Sequence, residues 1–264
     1  MKLIACMLSI LIPLSVPVAS VPPQRPPFAE SAPLRWYVKR NAEHRVPDLP
    51  SEFSRLSEYG GYYADTDRPG EKVVYLTFDA GYENGNVARI VDVLKEKNVH
   101  GAFFILSHFL NANTDLVKRM LDEGHLVCNH TARHRDMAKA TDAEMRRELT
   151  DLETAFYEKT GREIAKYYRP PEGSFRWENL AVAKELGYAT VFWSFAYADW
   201  ANDRQPKPDA ALKKIRDNIH PGAVLLLHPT SETNAKILPY LIDLLQSEGY
   251  RFGTLDELTG RQGK

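Results

Sequence analysis

Residues 73–79 read Val73-Val74-Tyr75-Leu76-Thr77-Phe78-Asp79, a run of strand-forming side chains closed by a carboxylate. β-Branched and aromatic residues favour a pleated strand. A charge at the end of such a strand is costly to bury unless it is paired or functional. Downstream, Val87, Ile90, Val91 and Leu94 recur at helical spacing and make one apolar face. The same unit returns along the chain. The further strand runs are Ala102–Leu106, His125–Asn129, Lys166–Arg169, Ala189–Phe195, Ala223–Leu227 and the short Tyr250–Gly253. Helical faces between them are carried by Leu116/Val117/Met120/Leu121, Met145/Leu149/Leu152/Phe156 and Ile237/Leu241/Leu244/Leu245. Gly124, Gly161, Gly187 and Gly249 fall just past four helices, where a left-handed residue is needed. About seven strand–helix alternations predict an α/β fold with a parallel sheet, closed or nearly closed. A doubly wound open sheet is the alternative.

The chemistry-bearing residues collect where strands end. Asp79 follows the first run, His130 follows His125–Asn129, and Arg169 closes Lys166–Arg169. Asp199 lies just past Ala189–Phe195, and His228 follows Ala223–Leu227. In α/β barrels the carboxyl ends of strands form the rim that carries the site. Scattered polar residues would rarely fall this way.

His130-Thr131-Ala132-Arg133-His134 sets two imidazoles four residues apart. On a helical turn they share a face, the geometry of two ligands to one divalent metal. Arg169 is positioned to pair with Asp79 and hold it ionised as a base. Asp199 is positioned to orient and charge His228, giving an acid. Trp193, Trp200, Tyr82 and Phe175 are candidate stacking walls.

The 264 residues, 44% of them hydrophobic, suffice for one large core. A net charge of −1 without a basic run argues against nucleic acid as a partner. Lys2, the apolar Leu3–Leu14 and the small residues Val18-Ala19-Ser20 predict an export signal over residues 1–20, and hence an extracytoplasmic protein. Prolines 22, 23, 26, 27 and 33 make residues 21–35 a stiff tether, followed by an aromatic extension to residue 70. The catalytic domain is expected over 71–264. Once Cys6 leaves with the signal, Cys128 is alone, so no intramolecular disulfide is possible.

Thr77–Gly81, His130–His134, Arg169–Gly173, Asp199-Trp200 and Leu225–His228 resemble, in order, the five motifs of the polysaccharide deacetylases, the NodB-homology family or carbohydrate esterase family 4. The likeness runs from about Lys72 to Leu258. Through Leu76–Gly85, Gly61-Tyr62-Tyr63, Phe192-Trp193-Ser194 and Asp199-Trp200 the chain is most similar to the PdaA-like branch. Members of that branch are peptidoglycan N-acetylmuramic acid deacetylases that prepare the muramic δ-lactam. The resemblance implies a distorted (β/α) TIM-like barrel. It implies Asp79 as general base with Arg169 as its partner, and His228 as general acid oriented by Asp199. His130 and His134 would bind a divalent cation, Zn²⁺ first, with Mn²⁺ or Co²⁺ as alternatives. Three positions depart from the family pattern near the motifs, one of them Ala196, which stands where some members carry an extra Asp. Ala80 stands where the usual first motif has a metal-binding Asp, and Glu172 stands where many members have Tyr.

The expected reaction is hydrolysis of the N-acetyl group of N-acetylmuramic acid, with peptidoglycan glycan strands as partner. No obligate protein partner is indicated, and a monomer is expected. The alternatives are an N-acetylglucosamine deacetylase and a non-catalytic carbohydrate-binding protein on the same scaffold. Selecting muramic acid with a free lactyl carboxylate calls for a cation beside the acetamide. Arg133 and Arg176 are the nearest in sequence. With the Glu172 N–H as an oxyanion donor, Trp200 and Tyr82 complete the expected substrate-binding set.

Overall fold

The structure, a computed structural model, describes residues 31–261. The predicted signal and most of the proline-rich tether lie outside the described residues. Ten strands are present: β1 Leu34–Arg35, β2 Gly61–Tyr62, β3 Val73–Ala80, β4 Ala102–Ile105, β5 Leu126–Asn129, β6 Ala165–Tyr168, β7 Ser174–Phe175, β8 Ala189–Val191, β9 Ala223–Leu227 and β10 Arg251–Phe252. The helices are α1 Asn86–Glu96, α2 Ser107–Ala112, α3 Thr114–Asp122, α4 Asp142–Thr160, α5 Trp177–Glu185, α6 Pro208–Arg216, α7 Glu232–Ser247 and α8 Leu255–Thr259.

The main sheet has eight strands and runs β10–β3–β4–β5–β6–β8–β2, with β9 also paired to β3, and every pair is parallel. Phe195, just beyond β8, bridges in parallel to Leu225 of β9. The sheet therefore curls back on itself into a distorted barrel, which excludes the open doubly wound alternative. Helices cover it, so both faces of β3 are buried and the strand reads as a continuous apolar run. The apolar stripe of α1 turns inward, with Val87, Ile90, Val91 and Leu94 all buried. In α4 a capping box of Thr141 and Glu144 starts the helix and Gly161, at φ 69°, ends it.

The N-terminal segment is built into this body from Ser31, whose hydroxyl donates to Glu178. The tether expected as far as residue 35 thus gives way earlier, because β1 pairs antiparallel with β7. Trp36 and Phe53 enter a core cluster with Phe175 and Phe192. β2 adds a strand beside β8. Cys128 is a buried free thiol.

Candidate active site

The carboxyl ends of β3, β5, β6, β8 and β9 open into one cavity of about 580 Å³. Asp79, His130, His134 and His228 line it together with Tyr82, Trp200, Glu172 and Arg35.

Arg169, directly after β6, is wholly buried and organises one side. Its Nε donates to the Val191 carbonyl at 2.8 Å, and its Nη2 to Thr77 Oγ1 at 2.9 Å and to the Phe192 carbonyl at 3.2 Å. Its Nη1 donates to Asp79 Oδ1 at 2.8 Å, while the guanidinium lies 4.2 Å over the Phe104 ring. Burial by itself would raise the Asp79 pKa. The Arg169 charge, with His130 and His228, outweighs it and holds the carboxyl below its ordinary value. Asp79 is therefore ionised at neutral pH, beneath the cavity, with Oδ2 turned to His130 Nε2 at 3.6 Å.

His130 Nδ1 lies 2.8 Å from the Arg169 carbonyl. A carbonyl only accepts, so Nδ1 carries the proton and Nε2 keeps its lone pair. Burial, reinforced by His134, lowers its pKa to about 4 despite the attraction of Asp79, which keeps the ring neutral. The His134 ring sits beside it, centroids 5.2 Å apart and planes at 72°. The expected helical turn is absent here. Thr131 (φ 74°) and His134 (φ 55°) are both left-handed, and the segment between them is a loop. Asn129 Oδ1 accepts the Thr131 N–H, and Thr131 Oγ1 accepts the His134 N–H. Those local bonds, rather than a helix, bring the two rings together.

Across the cavity, Asp199 is buried and accepts from His228 Nδ1 at 2.7 Å, from the His228 N–H at 2.8 Å and from Asn234 Nδ2 at 2.7 Å. Burial would depress the His228 pKa. The hydrogen bond and charge of Asp199, assisted by Asp79, raise it above the ordinary histidine value instead. One acid–base pair thus faces another of opposite protonation across a single space. That is the arrangement needed to take a proton at one point and deliver one at the other.

Could these residues hold a divalent cation? Among the described residues no cluster of three or more His, Cys, Asp or Glu side chains is arranged to bind one. Two neighbouring imidazoles are present, one with its Nε2 freed by a backbone carbonyl, as metal-ligating histidines usually are. Ala80 adds no donor. The set fits a cation held by two nitrogens and completed by smaller oxygen ligands. It is one anionic side chain short of a three-ligand site.

The aromatic expectations divide. Tyr82, Trp193 and Trp200 line the cavity, whereas Phe175 is packed in the core. Asn202 donates to the Tyr82 hydroxyl. Glu172, at φ 56°, sits in the turn Pro171–Gly173 with its side chain at the cavity rim.

Arg133 and Arg176 are not where carboxylate selection would need them. The Arg133 N–H and Nη1 donate to buried Glu148, and Nη2 donates to Asp151, so α4 holds the side chain away from the cavity. Arg176 stands at the start of α5 with Nη2 on the Ala140 carbonyl. The guanidinium at the cavity is that of Arg35, which sequence reading missed. Its signal was the alternation Leu34-Arg35-Trp36, too short to stand out beside prolines. Asn234, which steadies Asp199, was missed as well.

The family model for polysaccharide deacetylases matches residues 66–191. The chain is 40% identical over 227 residues to the peptidoglycan-N-acetylmuramic acid deacetylase PdaA of Bacillus subtilis, covering 86% of each. The solved structure of Bacillus subtilis PdaA, a family 4 carbohydrate esterase, superimposes with a TM-score of 0.83 at 38% identity, covering 88% of this chain and 98% of that one. A peptidoglycan-N-acetylglucosamine deacetylase of Bacillus cereus is 33% identical over 197 residues, covering 71% of this chain and 88% of the relative. With fold, site and sequence in agreement, this chain belongs to the polysaccharide deacetylase family of carbohydrate esterase family 4, hydrolases of acetyl groups.

Proposed function

We propose that the chain hydrolyses the N-acetyl group of N-acetylmuramic acid in peptidoglycan glycan strands, releasing acetate and a free muramic amine. The observation that carries the hydrolytic part is the pairing of Asp79–Arg169 with His228–Asp199 across one cavity. The likeness to the Bacillus subtilis muramic acid deacetylase supports the substrate.

Asp79, kept ionised by Arg169, takes a proton from the attacking water. The water oxygen adds to the acetyl carbon, and the Glu172 N–H is assigned to the oxyanion that forms. His228 protonates the nitrogen as the C–N bond breaks, so acetate and the amine leave with atoms and charge balanced. His130 and His134 are the residues that would hold a divalent cation, Zn²⁺ first and Mn²⁺ or Co²⁺ otherwise, which polarises an acetyl carbonyl and makes water more acidic. The freed amine and its own lactyl carboxyl are the two groups that a later step joins, with loss of water, as a δ-lactam.

The site works on glycan outside the cytoplasm, as the Lys2–Ser20 pattern suggests, and as a monomer. A second reading, N-acetylglucosamine as substrate, has the Bacillus cereus relative in its favour. Mass spectrometry of peptide-free glycan strands and of chitooligosaccharides after incubation decides between them. Loss of acetyl from muramic units supports the proposal, and loss confined to glucosamine units overturns it.

A further inference from the structure

Arg35 comes to the cavity from outside residues 66–191, the stretch matched by the family pattern. Side chains alternate along an extended segment, so neighbours point to opposite sides. Trp36 is the buried partner in that alternation. Its ring stacks on Phe192 at 4.5 Å, its Nε1 donates to the Trp193 carbonyl at 2.9 Å, and its N–H donates to the Gly173 carbonyl at 2.8 Å. With Trp36 fixed inward, Arg35 is turned outward to the cavity rim, across the β1–β7 ladder from Ser174. Among the described residues lining the cavity, Arg35 alone carries a permanent positive charge.

Its present partner is Glu172, which accepts from Nη1 at 2.9 Å. Both side chains are more than half exposed, 65% and 57%. An ion pair this open to water is weak and easily exchanged. A guanidinium has five N–H donors in a planar fork, and Glu172 engages one nitrogen. A second carboxylate can therefore join or replace it at little cost.

We propose that Arg35 is the residue that selects substrate carrying a carboxylate next to the acetamide, exchanging its exposed partner Glu172 for the substrate's carboxylate. The inference rests on muramic acid being the sugar acted upon. There the lactyl ether ends in a carboxylate once the stem peptide is gone, and chitooligosaccharide has no such group. Arg35 touches no reacting atom in this account. It is a specificity residue.

The test pairs enzyme variants with two substrates. One is peptide-free glycan with a free lactyl carboxylate, and the other is the same glycan with that carboxyl converted to a neutral amide. Acetate release gives kcat/KM for each. Arg35→Ala should lose about tenfold on the carboxylate form and little on the amide form. Arg35→Lys, which keeps the charge but not the fork, should fall between. Glu172→Gln removes the competing charge and should raise the preference for the carboxylate form. Preference that survives Arg35→Ala, or an equal loss on both substrates, overturns the inference while leaving muramic acid as substrate. Wild-type acetate release confined to glucosamine units overturns the substrate reading and this inference with it.

Discussion

Asp199 holds His228 at two points, the ring nitrogen Nδ1 at 2.7 Å and the backbone N–H at 2.8 Å. Both carboxylate oxygens are used, and Asn234 Nδ2 donates to Oδ2 from behind. The imidazole can neither turn nor change tautomer without breaking one of these bonds. This leaves Nε2 for the proton transfer, with a pKa lifted by the same carboxylate.

Asp199→Asn should therefore act on the alkaline side of the pH profile. His228 must be protonated to serve as acid, and in wild type it stays so above the ordinary value of 6.5. Without the carboxylate charge, the alkaline limb of kcat should move to lower pH, and kcat should fall on the order of 10²-fold or more. Stability follows the same sign. A folded pKa above the unfolded one stabilises fully below the unfolded value and loses that contribution as pH rises through the folded value. Wild-type Tm, but not that of Asp199→Asn, should carry this decline. An alkaline limb that stays in place in the variant removes His228 from the acid role.

Asp79→Asn keeps the shape of the side chain and removes its basicity, so kcat should drop by roughly 10²–10⁴-fold. The structure adds a cost in stability that the sequence did not show. Arg169 is wholly buried, and among the described residues its one ionised partner is Asp79. The variant leaves an uncompensated charge inside, worth roughly 3 kcal/mol in a denaturant titration. Three other acceptors on Arg169 soften the loss. For the wild type, the lowered Asp79 pKa means that its stabilisation is present above about 3.8 and fades as pH falls through the folded value. Near-normal turnover in the variant would remove Asp79 as the base.

Much of the site was legible in the order of residues because strand ends in a parallel barrel share one rim. Asp79, His130, Arg169 and His228 sit at or directly past such ends, Asp199 follows on the loop beyond β8, and the pairs Asp79–Arg169 and Asp199–His228 bring them together. What sequence could not show was which way side chains leave irregular backbone. His134 looked like one partner of a helical pair, yet two left-handed residues bring it beside His130. Arg133 lies between those histidines and still belongs to α4 through Glu148. Arg35 is distant in sequence from every motif and reaches the cavity through a two-residue strand, too brief for any periodicity.

Ala80 tests the cation. It ends β3, fully buried, opposite Ile105, whose carbonyl accepts the His130 N–H at 3.0 Å. The metal-binding Asp of the family's usual first motif stands at this position. Ala80→Asp should lower the Zn²⁺ dissociation constant by about tenfold or more in a calorimetric titration, since an anionic third ligand adds direct charge. The metal-free variant should be less stable than wild type because the new charge is buried without a partner. Unchanged Zn²⁺ affinity in a folded variant would show that the cation is not held between His130 and His134.

Trp200 is 60% exposed, yet its ring stands 6.0 Å from that of His228 at 65°. A large aromatic left in water at the edge of a cavity is poised to gain from covering by a flat apolar surface, such as the face of a sugar ring. Trp200→Ala should then raise KM on glycan strands by about tenfold, with a smaller effect on kcat. Trp200→Phe should recover part of the loss. The alkaline limb of the pH profile should stay in place, because Asp199 rather than the indole sets the His228 charge. If the variant instead loses kcat with KM unchanged, Trp200 serves to position His228 and not to bind glycan.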